Sequence, residues 1–177
     1  MLVCSLPRCG ATGFCLDLEA AIRLPFAGEL HPIHIGSDRK SIVHETKYQP
    51  NFKEEQFADL LHDNSNHIVL VNQHPYLVIN RADVVVLRRN MKDASYSLVK
   101  FLIAMYPSIK PGVIVHQLKL MHYDHIALMS YLNKYPKDIV WYEDYYNRTG
   151  TDMSAIEAYR GKENIIKEIE TYYGSSN

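Results

Sequence analysis

The sequence has no long apolar run, no excess of charge of one sign and few cysteines, and each absence excludes a class of protein. No apolar segment approaches the length that crosses a membrane, and no basic region followed by a signal-like core opens the chain. A net charge of −1 argues against a protein that binds polyanions. We therefore expect a cytoplasmic protein with neither nucleic acid nor membrane as a partner.

Cysteine is represented only by Cys4, Cys9 and Cys15, which are odd in number and lack C-x-x-C spacing. This pattern favours reduced thiols over a disulfide or a zinc site. Internal repeats, low-complexity tracts and linkers are also missing. With 177 residues, the chain is long enough for one core and short for two domains. We expect a single domain over 1–177, with 174–177 as a frayed tail.

Hydrophobic patterning predicts strands that alternate with helices. The predicted strands lie near 1–6, 67–71, 83–88 and 138–142, with further extended segments near 32–36, 41–44 and 112–115. The predicted helices lie near 12–24, 53–62, 92–106, 118–134 and 154–173. This alternation is typical of an α/β fold with three α/β/α layers, in which helices cover both faces of a central parallel sheet.

The first strand leads into a loop suited to an anion. Gly10 and Gly13 let the backbone approach a ligand, Arg8 offers a fork of donors, and free N–H groups at the helix start favour negative charge. The candidate anion-binding residues are Pro7, Arg8, Cys9, Gly10, Ala11, Thr12 and Gly13. The Lys-Ser/Thr pair of a nucleoside-triphosphate loop is missing. The alternative is an ordinary strand–turn–helix connection in which Thr12 only caps the helix.

A second candidate site comes directly after the apolar strand at 82–87. Arg89 stands where that strand ends, Asn90 with Asp93 resembles a capping pair, and Ser97 lies in the early turns of the next helix. Ligands of open α/β sheets collect at the carboxyl ends of strands. The alternative is a solvated basic cluster at 88–92.

Taken together, the two segments resemble the sulfotransferases that use 3′-phosphoadenosine 5′-phosphosulfate (PAPS). Residues 7–12 are similar to the family's P-[KR]-x-G-[ST]-T loop, which binds the 5′-phosphosulfate, with Cys9 and Ala11 where hydroxyl residues are commoner. Residues 89–97 are similar to its R-[DN]-P-x-[DE]-x-x-x-S motif, with Met91 replacing proline. The resemblance implies a P-loop-like fold and assigns the 3′-phosphate to Arg89 and Ser97.

Two weaker similarities concern the catalytic base and a late strand. The segment 70–75 resembles the family's K-T-H-x-P strand, which makes His74 the base, although Asn72 replaces the lysine. Glu45 is the alternative base, because some branches of the family use a carboxylate. Residues 139–145 resemble a late strand that ends in Y-E-D-L.

The remaining histidines and the late cations carry weaker signals. His31 with His34, and His122 with His125, have metal-ligand spacing, but no third ligand is spaced convincingly, so no metal is expected. On its helix, His125 shares a face with apolar residues and is predicted to be a hydrogen-bonded core histidine. Two late cations are candidates to close over the nucleotide: Arg160 and Lys162.

The resemblance implies in-line sulfuryl transfer from PAPS to a small-molecule, glycan or peptide acceptor. In this interpretation Arg8 and the loop hold the phosphosulfate, while His74 or Glu45 takes the acceptor proton. Two alternatives stay open. One is a kinase-like nucleotide phosphotransferase, and the other is a non-catalytic binding protein that keeps the fold.

Overall fold

The computed structural model describes residues 1–29, 34–36, 46–48, 62, 65–72 and 78–174. Its strands are β1 (Leu2–Ser5), β2 (Phe26–Glu29), β3 (His34–Gly36), β4 (Thr46–Tyr48), β5 (Ile68–Val71), β6 (Val84–Arg88) and β7 (Ile139–Trp141). Its helices are α1 (Ala11–Ile22), α2 (Met91–Met105), α3 (Pro111–Lys134), α4 (Tyr142–Tyr146), α5 (Ser154–Glu157) and α6 (Lys162–Tyr173).

Five strands form an all-parallel sheet in the order β2-β5-β1-β6-β7. Its central strands, β1 and β5, are apolar and buried along their whole length, as strands covered on both faces must be. Numbered by their order in the chain, the five strands run 2-3-1-4-5 across the sheet. β3 and β4 pair antiparallel in a separate two-stranded sheet.

Alternate residues of the sheet face different helices. Leu2 and Cys4 of β1 pack in one core cluster with residues of α2 and α3, whereas Val3 packs in another with Phe14 and Cys15 of α1. This alternation results from the two-residue period of a strand. Because α1 and α2 pack on opposite faces after β1 and β6, the chain reverses its direction of winding between these two strands.

A second core lies between helices and away from the sheet. Ile114 and Leu118 of α3 pack with Ile165 and Ile169 of α6, and each is at most 2% exposed. Lys92 Nζ lies 2.8 Å from a carboxylate oxygen of Glu170, joining the start of α2 to α6. This core fixes the position of α2, whose N-terminal end borders the carboxyl end of β6.

The sheet confirms the predicted strands at 1–6, 67–71, 83–88 and 138–142 and places another, β2, where none was predicted. Gly28 has a φ of 103°, and the β2–β5 register shifts beside it. The segment therefore lacks the regular alternation of apolar and polar residues from which a strand is predicted. The prediction of an extended segment at 112–115 is wrong, because these residues lie inside α3. Burial of Ile114 with Leu118 overrides the β propensity of the Val-Ile-Val run.

The helix predicted at 154–173 is interrupted. α5 and α6 are separated at 158–161, and Gly161, with a φ of 92°, is the N-cap residue of α6. A Cβ at Gly161 would lie 2.7 Å from the ring of Pro111. The segment predicted as extended at 41–44 and nearly all of the helix predicted at 53–62 lie outside the described residues. Within the described residues, no helix is long and apolar enough to span a membrane.

Candidate functional site

The loop between β1 and α1 is the first part of the candidate site. Arg8 and Gly10 both have positive φ, at 66° and 78°, and this turns the backbone sharply into the helix. No side chain caps the first turn of α1. Thr12 therefore does not play the capping role that the simpler interpretation gave it, and the first turn keeps its affinity for negative charge.

Helix α4 packs on the outside of this loop through its tyrosines. The hydroxyl of Tyr146 donates to the carbonyl oxygen of Gly10 at 3.0 Å. A Cβ at Gly10 would lie 2.7 Å from the ring of Tyr142, and one at Gly13 would lie 2.8 Å from the Tyr146 hydroxyl. The late tyrosines thus hold the loop in shape.

Arg89 joins the second candidate segment to this loop. The side chain is 8% exposed, and its guanidinium donates to the carbonyl oxygen of Arg8 at 3.0 Å. It also donates to the carbonyl of Gly150 at 3.1 Å and to the Thr151 hydroxyl at 3.2 Å. The guanidinium carbon lies 4.3 Å from the ring centre of Tyr142.

This arginine is a buried cation without an anionic partner among the described residues. Its hydrogen bonds go to neutral oxygens, and its Nε has no hydrogen-bond partner. Buried charges in proteins are ordinarily paired, because an unpaired charge is costly to remove from water. The arrangement therefore favours an anion bound beside Arg89.

The start of α2 is fixed by an N-cap and a carboxylate. Asn90 Oδ1 accepts from the N–H groups of Lys92 and Asp93, which confirms the capping role of Asn90. The reciprocal contact comes from elsewhere: Glu143 accepts from the Asn90 N–H at 2.8 Å, and Asp93 accepts from the Gly150 N–H at 3.0 Å. The carboxylate that completes the N-cap therefore comes from Glu143, in the segment 139–145, rather than from Asp93 within the motif.

Ser97 lies one and a half turns into α2 and faces the same loop. Its Oγ accepts from Arg8 Nε at 3.3 Å, a contact between residues 89 positions apart. The Arg8 guanidinium also lies 4.8 Å from the ring centre of Phe101. Burial and the nearby Arg89 lower the pKa of Arg8, and its guanidinium remains charged at neutral pH.

One cavity of about 900 Å³ collects these groups. It opens at the carboxyl ends of β1 and β6, whose register pairs Ser5 with Leu87, so that the loops after the two strands meet at one edge. The sequence-predicted residues that line it are Pro7, Arg8, Cys9, Gly10, Ala11, Thr12, Gly13, Arg89 and Ser97. Its position at the switch point of the sheet is where open α/β sheets bind ligands.

Cys9 contributes to the loop through its backbone. Its side chain is 1% exposed and belongs to the sheet core, and burial raises the pKa of the thiol to about 12. The pKa of Cys15 is also raised to about 12 by burial, and that of Cys4 is raised further. All three cysteines are therefore buried, protonated thiols rather than nucleophiles.

Two of the other predicted site residues, Arg160 and Lys162, are not brought to this cavity. Arg160 is exposed and does not line it, and Lys162 donates to the carbonyl of Glu157 at 2.5 Å, at the start of α6. Their proposed closure over a nucleotide has no support in this arrangement, because α6 packs against α2 and α3 away from the loop. His74 and Glu45 lie outside the described residues.

Two carboxylates that line the cavity are absent from the sequence-based prediction. Glu29 is the last residue of β2, and Asp124 lies on α3. A strand prediction at 26–29 would have indicated Glu29, because the carboxyl ends of parallel strands share an edge. Asp124 sits on a helix remote in sequence and carries no local signal. Asn72 also lines the cavity, and its Oδ1 is buried without a hydrogen-bond partner.

Metal-ligand geometry is not found in the described part of the chain, where no group of three or more His, Cys, Asp or Glu side chains could hold an ion. His125 is half-buried in the helical layer, but its Nε2 has no hydrogen-bond partner, so the prediction of a hydrogen-bonded core histidine is wrong.

No protein-family model matches the chain, and no curated protein is significantly similar to it.

Proposed function

We propose that this chain is a sulfotransferase that moves a sulfuryl group from PAPS to a hydroxyl or amine acceptor. The observation that supports it is the contact of Arg89 with the carbonyl of Arg8, in a cavity that also contains Ser97. Two motifs 81 residues apart thereby form one cradle with two cationic groups. The fold we propose is the three-layer α/β/α, P-loop-like arrangement of the sulfotransferases.

The proposed donor has negative charge at two ends, and the cavity has cationic groups to match. The uncapped first turn of α1 and Arg8 would hold the 5′-phosphosulfate. Arg89, with its unpartnered Nε, and Ser97 would hold the 3′-phosphate. The acceptor oxygen attacks sulfur, the bond from sulfur to the 5′-phosphate oxygen breaks, and adenosine 3′,5′-bisphosphate leaves.

Negative charge grows on that leaving oxygen as the bond breaks. Fixed N–H donors and the Arg8 guanidinium therefore stabilise the transition state more than the ground state. A base must also take the acceptor proton. His74 and Glu45 are the bases that the resemblance implies, and Glu29 is a third candidate because it lines the cavity at the end of β2.

Calorimetry tests the proposal directly. We expect the protein to bind adenosine 3′,5′-bisphosphate and not ATP with magnesium, since the loop lacks the lysine of a kinase and β6 leads into arginine. Incubation with labelled PAPS and a cell extract should then label an acceptor. Binding of ATP with magnesium alone would favour the phosphotransferase, whereas binding of the bisphosphate without transfer to any acceptor would favour the non-catalytic relative.

Variants identify the base. Replacement of the true base should abolish turnover and leave the affinity for adenosine 3′,5′-bisphosphate unchanged. We expect this of His74→Ala, with Glu29→Gln and Glu45→Gln measured beside it as the alternatives. Full activity of His74→Ala across neutral pH would exclude His74.

A further inference from the structure

The cavity has an apolar wall beside its cationic end. α2 contributes Leu98, Phe101 and Leu102 to this wall, and α3 contributes Leu120 and Met121. The apolar wall begins directly at the cationic end, because the Arg8 guanidinium lies over the Phe101 ring. A ligand that extends from the loop along this wall passes from cationic side chains to apolar ones.

Several of these apolar side chains are open to water. Phe101 is 39% exposed and Leu120 is 44% exposed, although both line the cavity. Burying such surface against an apolar ligand is favourable in proportion to the area removed from water. The wall therefore offers a ligand substantial binding free energy that is not used within the protein itself.

A second cavity, of about 740 Å³, continues the wall between the end of α2 and the start of α3. The two cavities adjoin at Leu102 and Gln117, which line both. The second cavity also contains Met105, Tyr106 and Val113, which are 57%, 57% and 47% exposed. We call the two adjoining cavities the α2–α3 groove.

Charged side chains of the α2–α3 groove line its first cavity, where Glu29 and Asp124 are the described anions. None of the described residues that line the second cavity carries a charge. In the first cavity, Arg8 and Arg89 are the described cations, and the proposed function assigns both to the donor. A sulfated or carboxylated glycan would find no further cation among the described residues of the groove, and in the second cavity a neutral glycan would meet mainly apolar side chains.

Resting on the proposed function, we propose that the acceptor is an elongated apolar alcohol whose chain lies in the α2–α3 groove. Its hydroxyl would stand at the loop, beside the sulfuryl group, with the chain against Phe101 and Leu120. The hydroxyl oxygen forms the new bond to sulfur, its proton passes to the base, and the products are an alkyl sulfate and adenosine 3′,5′-bisphosphate.

A chain-length series tests this assignment. With PAPS and the full chain, kcat/KM for straight-chain primary alcohols from 1-butanol to 1-decanol should rise by about fourfold for each added methylene, as apolar transfer predicts. Glucose and a tyrosine-containing peptide serve as the polar comparisons and should be poor acceptors. A flat series, transfer to the polar acceptors alone, or no transfer at all would overturn the assignment.

Paired variants on α3 locate the chain. Leu120→Asn should lower kcat/KM for 1-decanol at least tenfold and leave that for 1-butanol within about threefold. Ile126→Asn is the matched control, since Ile126 is 53% exposed on the same helix and lines neither cavity. Equal effects of the two variants would overturn the assignment.

Calorimetry with adenosine 3′,5′-bisphosphate separates this inference from the function on which it rests. Intact bisphosphate binding with a flat alcohol series would refute the apolar acceptor and leave the sulfotransferase proposal standing. Absence of bisphosphate binding would refute both. A loss of bisphosphate affinity in Leu120→Asn would show that the wall holds the nucleoside, which would also overturn the acceptor assignment.

Discussion

Replacement of Arg89 by alanine tests the cradle most directly. The guanidinium is 8% exposed, so its contact with a phosphate would be a charge-assisted bond in a setting with little water. Loss of such a contact costs about 2–4 kcal/mol of binding free energy, which is roughly a 30- to 800-fold weaker affinity. Isothermal titration calorimetry with adenosine 3′,5′-bisphosphate measures this change.

The same substitution also affects stability, because Arg89 bonds to Arg8, Gly150 and Thr151. We expect a free energy of unfolding lower by about 2–3 kcal/mol, since three partners lose a charged donor. Urea denaturation measures that loss, and the titration is performed where the variant is fully folded. The matched control is Arg81→Ala, whose side chain is 43% exposed and pairs with Asp83 at 3.4 Å.

Arg81→Ala should change neither quantity appreciably, because an exposed ion pair contributes little. If a folded Arg89→Ala protein binds the bisphosphate with unchanged affinity, Arg89 has no part in the nucleotide site. The contact between the two motifs would then serve the fold alone.

Two further predictions concern the loop and the pH dependence of stability. Gly10→Ala should lower the free energy of unfolding by about 2–4 kcal/mol and reduce the affinity for the bisphosphate. The reason is that Gly10 has a φ of 78° and that a Cβ there would lie 2.7 Å from the Tyr142 ring. A variant as stable as the native protein in urea would contradict this prediction. Burial, with Arg88 and His122 nearby, lowers the pKa of His125 to about 4. The unfolded chain, with a histidine pKa of about 6.5, therefore binds more protons between these values, and stability should fall as the pH drops from about 7 to 4. His125→Gln should reduce this fall by about 1–2 kcal/mol, allowing for a partly exposed ring, and equal pH profiles in urea denaturation would refute it.

The two segments that form the cradle were predictable from sequence because each carries local signals. Apolar runs mark β1 and β6, the glycines mark the turn, and Arg89 stands at a strand end. These signals depend on neighbours within a few residues, which is the range over which backbone preferences and side-chain periodicity act. The confirmed strand segments and the N-cap at Asn90 belong to this class.

Contacts between distant residues were decided by the tertiary structure. The strand order places β6 beside β1, and only that pairing brings Arg89 to the carbonyl of Arg8 and leaves its Nε without a partner. Glu29 reaches the same edge through a strand whose irregular register hides it in the sequence. Val113 lies in a helix despite its β propensity, because burial of the neighbouring face outweighs local preference.

The sequence alone therefore determined that a glycine-containing turn follows the first strand and that basic residues stand at the end of a second strand. The tertiary structure decided that they share one cavity, and that an apolar groove extends from it between α2 and α3. The physical reason is that a parallel sheet aligns the carboxyl ends of strands whatever their separation along the chain, a relation that local sequence does not encode.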